Sequence, residues 1–225
     1  IDNLVTYIFS NLSKENIFIK NTFGKKKITL VDVGANLGGY TNLIKKNINV
    51  KEIHIFEPSK KCFGYLKTRF DEKKIYINNK ALSNKNKINI FYENEVLSQS
   101  SLHNKKNKFN SNLKNTDVYK IECLTLDEYF NHKDKKIIID LLKIDAEGED
   151  LRILEGASKL LKNKRIKLIK IELLNSFDNL TNKSNINEII FFLNKYNYFL
   201  ETITKTKFVD EKLIMMDVYF CNKKI

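Results

Sequence analysis

The sequence is poor both in residues that break regular structure and in residues that staple it. One proline and seven glycines in 225 residues exclude collagen-like, proline-rich and glycine/serine low-complexity chains. Cys62, Cys123 and Cys221 are odd in number, far apart and without C-x-x-C spacing. That excludes a disulfide framework and a zinc site built on paired cysteines; it fits a reducing cytoplasm, with each thiol a small core filler. No apolar run approaches the roughly 18 residues of a membrane span. Residues 1–20 are amphipathic and lack the clean apolar core of a secretory signal. The chain does not begin with Met, as expected of a trimmed chain or an excised domain. Arginine is scarce: Arg69, Arg152 and Arg165 stand alone, and lysine supplies the remaining basic charge.

That scarcity shapes the reading of the net charge, which is +13. A strongly basic chain suggests nucleic acid. Bidentate phosphate and base contacts, however, favour arginine, whereas lysine is a solvated point charge. The chain is also crowded with Lys, Asn and Ile, the residues that AT-rich codons deliver. A solvated lysine surface is therefore expected, with a functional basic face as the alternative. With 42% hydrophobic and 30% charged residues the chain belongs among globular proteins, and it is long enough to bury a core without metal or disulfides.

Periodicity places an amphipathic helix at Leu4–Leu12, within a helical extension covering residues 1–24. Apolar or alternating runs predict strands at 28–33, 52–57, 75–77, 87–92, 119–124, 137–144, 166–173, 198–204 and 213–221. Helices are predicted over 38–46, 60–70, 126–130, 149–161 and 186–196, with Ser59 and Thr125 as caps. Residues 93–117 and 175–184 read as polar loops, the first long enough for a lid or for disorder. Repeated strand–helix alternation with short connections predicts an α/β fold, a mainly parallel sheet with helices on both faces. The two closing strands are expected to form a hairpin with one antiparallel member. No linker divides the chain, so one domain over 1–225 is expected, with a core at 28–173 and closing strands and helix at 174–225.

Two constellations carry chemistry. Asp32-Val-Gly34-Ala-Asn36-Leu-Gly38-Gly39 follows the first strand and opens a helix, the place where open α/β sheets bind ligands. Glu57, about 20 residues on at the end of the second strand, is placed to accept ribose hydroxyls. A pyrophosphate would be repelled by Asp32 and crowded by Asn36, whereas a ligand with a cationic amino-acid end suits them. These residues therefore favour S-adenosylmethionine (SAM) over NAD. The second constellation, Lys143-Ile-Asp145-Ala-Glu147-Gly148-Glu149, ends the most apolar strand on the same rim; its acids also suit helix capping.

The sequence resembles the FkbM family of SAM-dependent methyltransferases. The matching stretches are Val31–Gly38, Phe56-Glu-Pro58, Lys80–Ser83, Leu124–Asp127, Leu142–Gly148 followed by Leu154–Ala157, and Ile171-Glu172. The resemblance implies a Rossmann-like class I methyltransferase fold, a seven-stranded sheet whose last strand is antiparallel. It implies O-methylation of a sugar or small-molecule hydroxyl. Asp32, Gly34, Asn36 and Gly38 would hold the methionine end, Glu57 the ribose beside Pro58, and Ala81 would lie near the adenine. Asp145 and Glu147 would face the methyl group and the acceptor. Asp145 or Glu147 is the expected general base or orienting group, with Glu172 a third candidate. Beyond Glu172 the pattern departs from many relatives, with Leu174 where a His or Asn often stands.

His103 and Ser101 would touch the acceptor if their loop folds over the site; otherwise they are surface. His54 and His132 read as structural. No acid–histidine cluster has metal spacing, and a Mg²⁺ assisting deprotonation stays open. The alternatives are an RNA methyltransferase, a SAM-binding module without catalysis and an NAD-linked oxidoreductase. The Asn-Pro-Pro-Tyr signature of base-amine methylation is absent, and Asp32 and Asn36 disfavour NAD.

Overall fold

The computed structural model describes residues 14–103, 115–133, 136–174 and 186–222. The predicted helix at Leu4–Leu12 and the loop at 175–184 lie outside these ranges. A helix over residues 14–23 (α1) is the first described element. The chain then alternates as predicted through β1 (Ile28–Val33), α2 (Gly39–Asn47), β2 (Val50–Phe56), α3 (Lys60–Arg69) and β3 (Ile75–Asn78). Next come β4 (Ala81–Leu82), β5 (Lys87–Asn94), β6 (Asn115–Leu124), α4 (Leu126–Lys133), β7 (Ile139–Ile144), α5 (Asp150–Glu155) and α6 (Ser158–Lys162). The described chain ends through β8 (Ile166–Leu174), α7 (Ile186–Asn194), β9 (Tyr198–Val209) and β10 (Lys212–Asn222).

Seven strands form one sheet in the order β3-β2-β1-β7-β8-β10-β9. Every pairing is parallel except those of β10, which runs antiparallel to both β8 and β9. The order reverses between β1 and β7, so β1 and β7 frame a crevice at their carboxyl ends. Strand alternation sends side chains to two cores. Leu30, Leu141, Leu168 and Tyr219 pack with α1, α2 and α3 through Ile19, Ile44 and Leu66. Val31, Leu142, Ile169 and Val218 pack with α4 to α7 through Phe130, Ile153, Leu161 and Ile189. Helices therefore cover both faces.

Two features differ from the sequence reading. β4, β5 and β6 leave the main sheet and make a small one of their own, and β5 and β6 reach into the stretch read as a loop, with only 104–114 undescribed. The helix expected over 149–161 is broken at Gly156 and Ala157. A Cβ on Gly156 would lie 2.2 Å from the Ser83 carbonyl oxygen, so the backbone passes too close for a side chain. Asp127 then caps the second half, accepting from the Lys159 and Leu160 N–H groups at 2.9 Å each. The Leu124–Asp127 and Leu154–Ala157 stretches thus lock each other in place. His54 is buried against Tyr76, Tyr129 and Phe130, and burial followed by the Lys133 charge lowers its pKa to about 3.

Candidate active site

The turn after β1 packs directly on the turn after β7. Gly34 has φ +68, and a Cβ there would lie 1.9 Å from the Asp145 carbonyl oxygen. The Asp145 N–H donates back to the Val33 carbonyl. Gly34 is therefore required by the neighbouring backbone, a reason the isolated motif does not reveal. Gly38 (φ +75) would clash with Phe70 and Leu66 of α3. Glu57 ties this turn to the next: its carboxylate accepts from the Asn36 N–H at 2.7 Å and the Ser59 N–H at 2.8 Å. Burial pushes the Glu57 pKa up to about 7 against these donors and Lys143.

A cleft of about 680 Å³ opens at this rim. One wall is the turn Gly34–Leu37 with Gly39, Tyr40 and Leu43 of α2; the other carries Lys143, Asp145, Lys170, Glu172, Lys205 and Asp217, and Glu15 of α1 also lines it. A Cβ on Gly39 would meet nothing within 4 Å. Of the sequence-predicted residues, Gly34, Asn36, Asp145 and Glu172 face this cleft. Glu57, Pro58, Ala81, Gly38, Glu147 and Asp32 are not part of its lining. Ala81 packs with Phe91, Ile121 and Cys123 inside the small sheet.

Asp32 is fully buried. It accepts from the Thr41 hydroxyl at 2.6 Å and lies 3.3 Å from the Lys143 ammonium. Lys143 also reaches Asp145 at 3.4 Å and donates to the Gly34 carbonyl at 2.8 Å. Burial opposes the Lys143 charge, but Asp32 and Asp145 outweigh it and hold its pKa above the ordinary lysine value. The Asp32 charge is thus offset internally, and the expected repulsion of a pyrophosphate by Asp32 loses its force.

The lining residues to which the sequence reading gave no role include Glu15, Tyr40, Lys143, Lys170, Lys205 and Asp217. For Lys143 and Lys170 the signal in the sequence is a lone charge inside an apolar strand, as in Leu141-Leu-Lys143-Ile and Leu168-Ile-Lys170-Ile. In the sheet these form a row: Asp32 pairs with Lys143, Lys143 with Lys170, and Lys170 with Tyr219. Lys170 is clamped by Glu15 at 2.5 Å and Asp217 at 3.0 Å. Glu172 sits between Asp145 and Asp217, and burial followed by these two charges raises its pKa to about 7.

His103 and Ser101 do not line the cleft. His103 is 2.9 Å from Glu149, which also accepts from Ser83 and Arg152. Asp150, not Asp145 or Glu147, accepts from the loop N–H groups of Ala146 and Gly148. Among the described residues no group of three or more His, Cys, Asp or Glu is arranged to hold a metal ion. No described helix is long and apolar enough to cross a membrane.

The sequence matches the methyltransferase FkbM domain over residues 32–200. No curated protein matches it. Among solved structures it is similar to the methyltransferase FkbM from Methylobacillus flagellatus KT, with a TM-score of 0.54 and 12% identity over 86% of this chain and 43% of that one. The chain thus spans less than half the length of that protein. It is similar to an rRNA methylase from Streptococcus thermophilus, with a TM-score of 0.52 and 10% identity over 96% of each chain. It is also similar to the magnesium protoporphyrin IX methyltransferase of Synechocystis PCC 6803, solved with bound SAM, with a TM-score of 0.51 and 7% identity over 94% of this chain and 77% of that one. At such identities the likeness is one of fold. The family's domain covers well over half of the chain, and the turns after β1 and β7 pack against each other at one cleft; the chain belongs to the FkbM methyltransferase family.

Proposed function

We propose that this chain transfers a methyl group from SAM to a hydroxyl of a sugar or other small molecule. The observation that carries the reading is the cleft at the carboxyl ends of β1, β7 and β8, with the glycine turn on one wall and carboxylates on the other. Glu57 would hold the ribose hydroxyls, since a carboxylate bound by two N–H groups still has lone pairs to accept them. The Gly34–Gly38 turn and Gly39 would receive the methionine end, with Pro58 toward the nucleoside; Ala81, packed inside the small sheet, is not part of that wall. When bound, the cofactor supplies a methyl on a positively charged sulfur, which leaves as a neutral thioether as the new carbon–oxygen bond forms.

The protein's part is to orient the acceptor and to take its proton. Asp145 and Glu172 line the cleft and are the candidates for that base; Glu147 is not on its wall. Glu172 is the better tuned, because its pKa of about 7 lies near a working pH. The charge of the cleft supports a neutral acceptor over RNA. Although the chain carries +13, two of the three lysines of the lining, Lys143 and Lys170, are tied up by Asp32, Asp145, Glu15 and Asp217.

Calorimetric titration with SAM, S-adenosylhomocysteine and NAD tests the reading. Both adenosyl ligands should bind, NAD should not, and Glu57→Ala should weaken binding by about 10- to 100-fold, as for loss of hydrogen bonds to a charged group. Ribose hydroxyls favour the ionised carboxylate, so affinity should rise from pH 6 to pH 8 as Glu57 loses its proton near 7. A folded chain that binds neither adenosyl ligand would sink the proposal.

A further inference from the structure

We propose that Asp217 is a further residue of the acceptor site, paired with Glu172 so that the two carboxyl groups grip one acceptor hydroxyl. The proposal rests on the methyltransferase reading above and assigns the wall that faces the transferred methyl. Asp217 and Glu172 stand directly opposite each other in the antiparallel ladder of β10 and β8. Such partners point to the same face, with Cβ atoms about 4.5–5.5 Å apart. Both line the cleft.

Asp217 is only 4% exposed. Its Oδ2 is held by Lys170 at 3.0 Å, while its Oδ1 is buried and has no hydrogen-bond partner. A buried carboxylate oxygen without a donor is costly, and the cleft is where a donor can enter. An acceptor hydroxyl is a donor of the right kind.

The surroundings hold Asp217 still. Lys170 is fixed by Glu15 of α1, and its ammonium lies 4.5 Å from the centre of the Tyr40 ring. Tyr219 donates to the same Glu15 oxygen at 2.6 Å, and the Tyr219 and Tyr40 hydroxyls are 3.1 Å apart. Lys170 and Glu15 are therefore positioning residues, and α1 is part of the site's support.

The charged groups around Glu172 come from every neighbouring element. Asp145 and Lys143 lie at the end of β7, Asp217 on β10, Lys205 on β9, Lys170 on its own strand and Glu15 on α1. Asp145 is occupied by Lys143 and Asp217 by Lys170. Burial and the Asp145 and Asp217 charges raise the Glu172 pKa to about 7, so both of its forms are present near neutral pH. Protonated, Glu172 can donate to the hydroxyl oxygen; ionised, it can accept the hydroxyl's hydrogen beside the open Asp217 oxygen. As the acceptor oxygen takes up the methyl carbon, its proton passes to the ionised Glu172.

Carboxyl titration by NMR of the ¹³C-labelled chain, free and saturated with S-adenosylhomocysteine, tests the pair. In Asp217→Asn the Glu172 midpoint should fall by about one unit, the usual effect of removing a like charge at this range. Should that variant not fold, Asp217→Ser, which keeps a small polar side chain, reads the same Glu172 midpoint. With labelled SAM and a panel of methyl glycosides, Asp217→Asn should lower kcat by about 10- to 100-fold while S-adenosylhomocysteine binding is unchanged. An unmoved partner midpoint, an undiminished kcat, or methyl transfer to primary amines and to none of the glycosides would overturn the proposal. Failure of the wild-type chain to bind S-adenosylhomocysteine would instead strike the methyltransferase reading, with the pair still judged by titration of the free chain.

Discussion

β7 and β8 bring nearly the same tripeptide to the rim of the cleft. Lys143-Ile-Asp145 and Lys170-Ile-Glu172 lie side by side, with Lys143 opposite Lys170 and Ile144 opposite Ile171. Each lysine is buried and held by two acids, but the acids differ. Lys143 bridges Asp32 of β1 and its own Asp145. Lys170 reaches away from Glu172, to Glu15 of α1 and Asp217 of β10. Asp145 keeps a cation at hand, whereas Glu172 is left between two carboxylates with a pKa near 7. One tripeptide thus yields a neutralised acid in one strand and a proton acceptor in the next, because the neighbouring strand decides where the lysine turns.

The largest effect should come from removing the first lysine. Lys143→Met would strand Asp32 and Asp145 without their cation, at a cost of about 3–5 kcal/mol, the usual penalty for breaking a buried ion pair. Adding Asp32→Asn should recover part of that loss in urea denaturation. A neutral Lys143→Met would break the comparison, since it would mean that Asp32 needs no counter-charge.

Gly34→Ala comes next, with an expected loss of more than about 2 kcal/mol from a left-handed backbone and a blocked Cβ. It should also displace the Asp145 backbone, so a chain that melts at the wild-type temperature would mean that the two turns are not locked together.

The smallest effect separates the two acids. Glu172 has a folded pKa of about 7 against an ordinary value of 4.5. Ionising it therefore costs nothing at low pH, costs progressively more above pH 4.5 and costs fully above 7. Glu172→Gln should accordingly be more stable than wild type at pH 8 by about 1–2 kcal/mol, after allowing for solvent screening, and equal to it near pH 4. Asp145→Asn should show no such gain, because it gives up the Lys143 contact. Matching pH profiles of the two variants would erase the distinction.

The elements were largely legible, because strands buried on both faces read as apolar runs and helices carried caps. Ser59 does accept from the Cys62 N–H, and Thr125 from the Glu128 N–H. The break at Gly156 was hidden, because the cause is the Ser83 carbonyl, more than 70 positions away in the chain. Asp32 misled for the same reason: its charge is visible in the sequence, whereas the Lys143 that offsets it is a long-range neighbour. Gly34 was expected to hold the methionine end, yet what its missing side chain makes room for is the Asp145 backbone.

By itself the sequence determined the fold class, the family motifs and the rim on which the acids fall, since periodicity, glycine turns and strand ends are local. Tertiary structure alone decided the strand order, the separate small sheet, and the partners of Lys143 and Lys170. Those depend on which side chains meet across neighbouring strands and helices, and the ionisation of a buried acid follows from its neighbours in space.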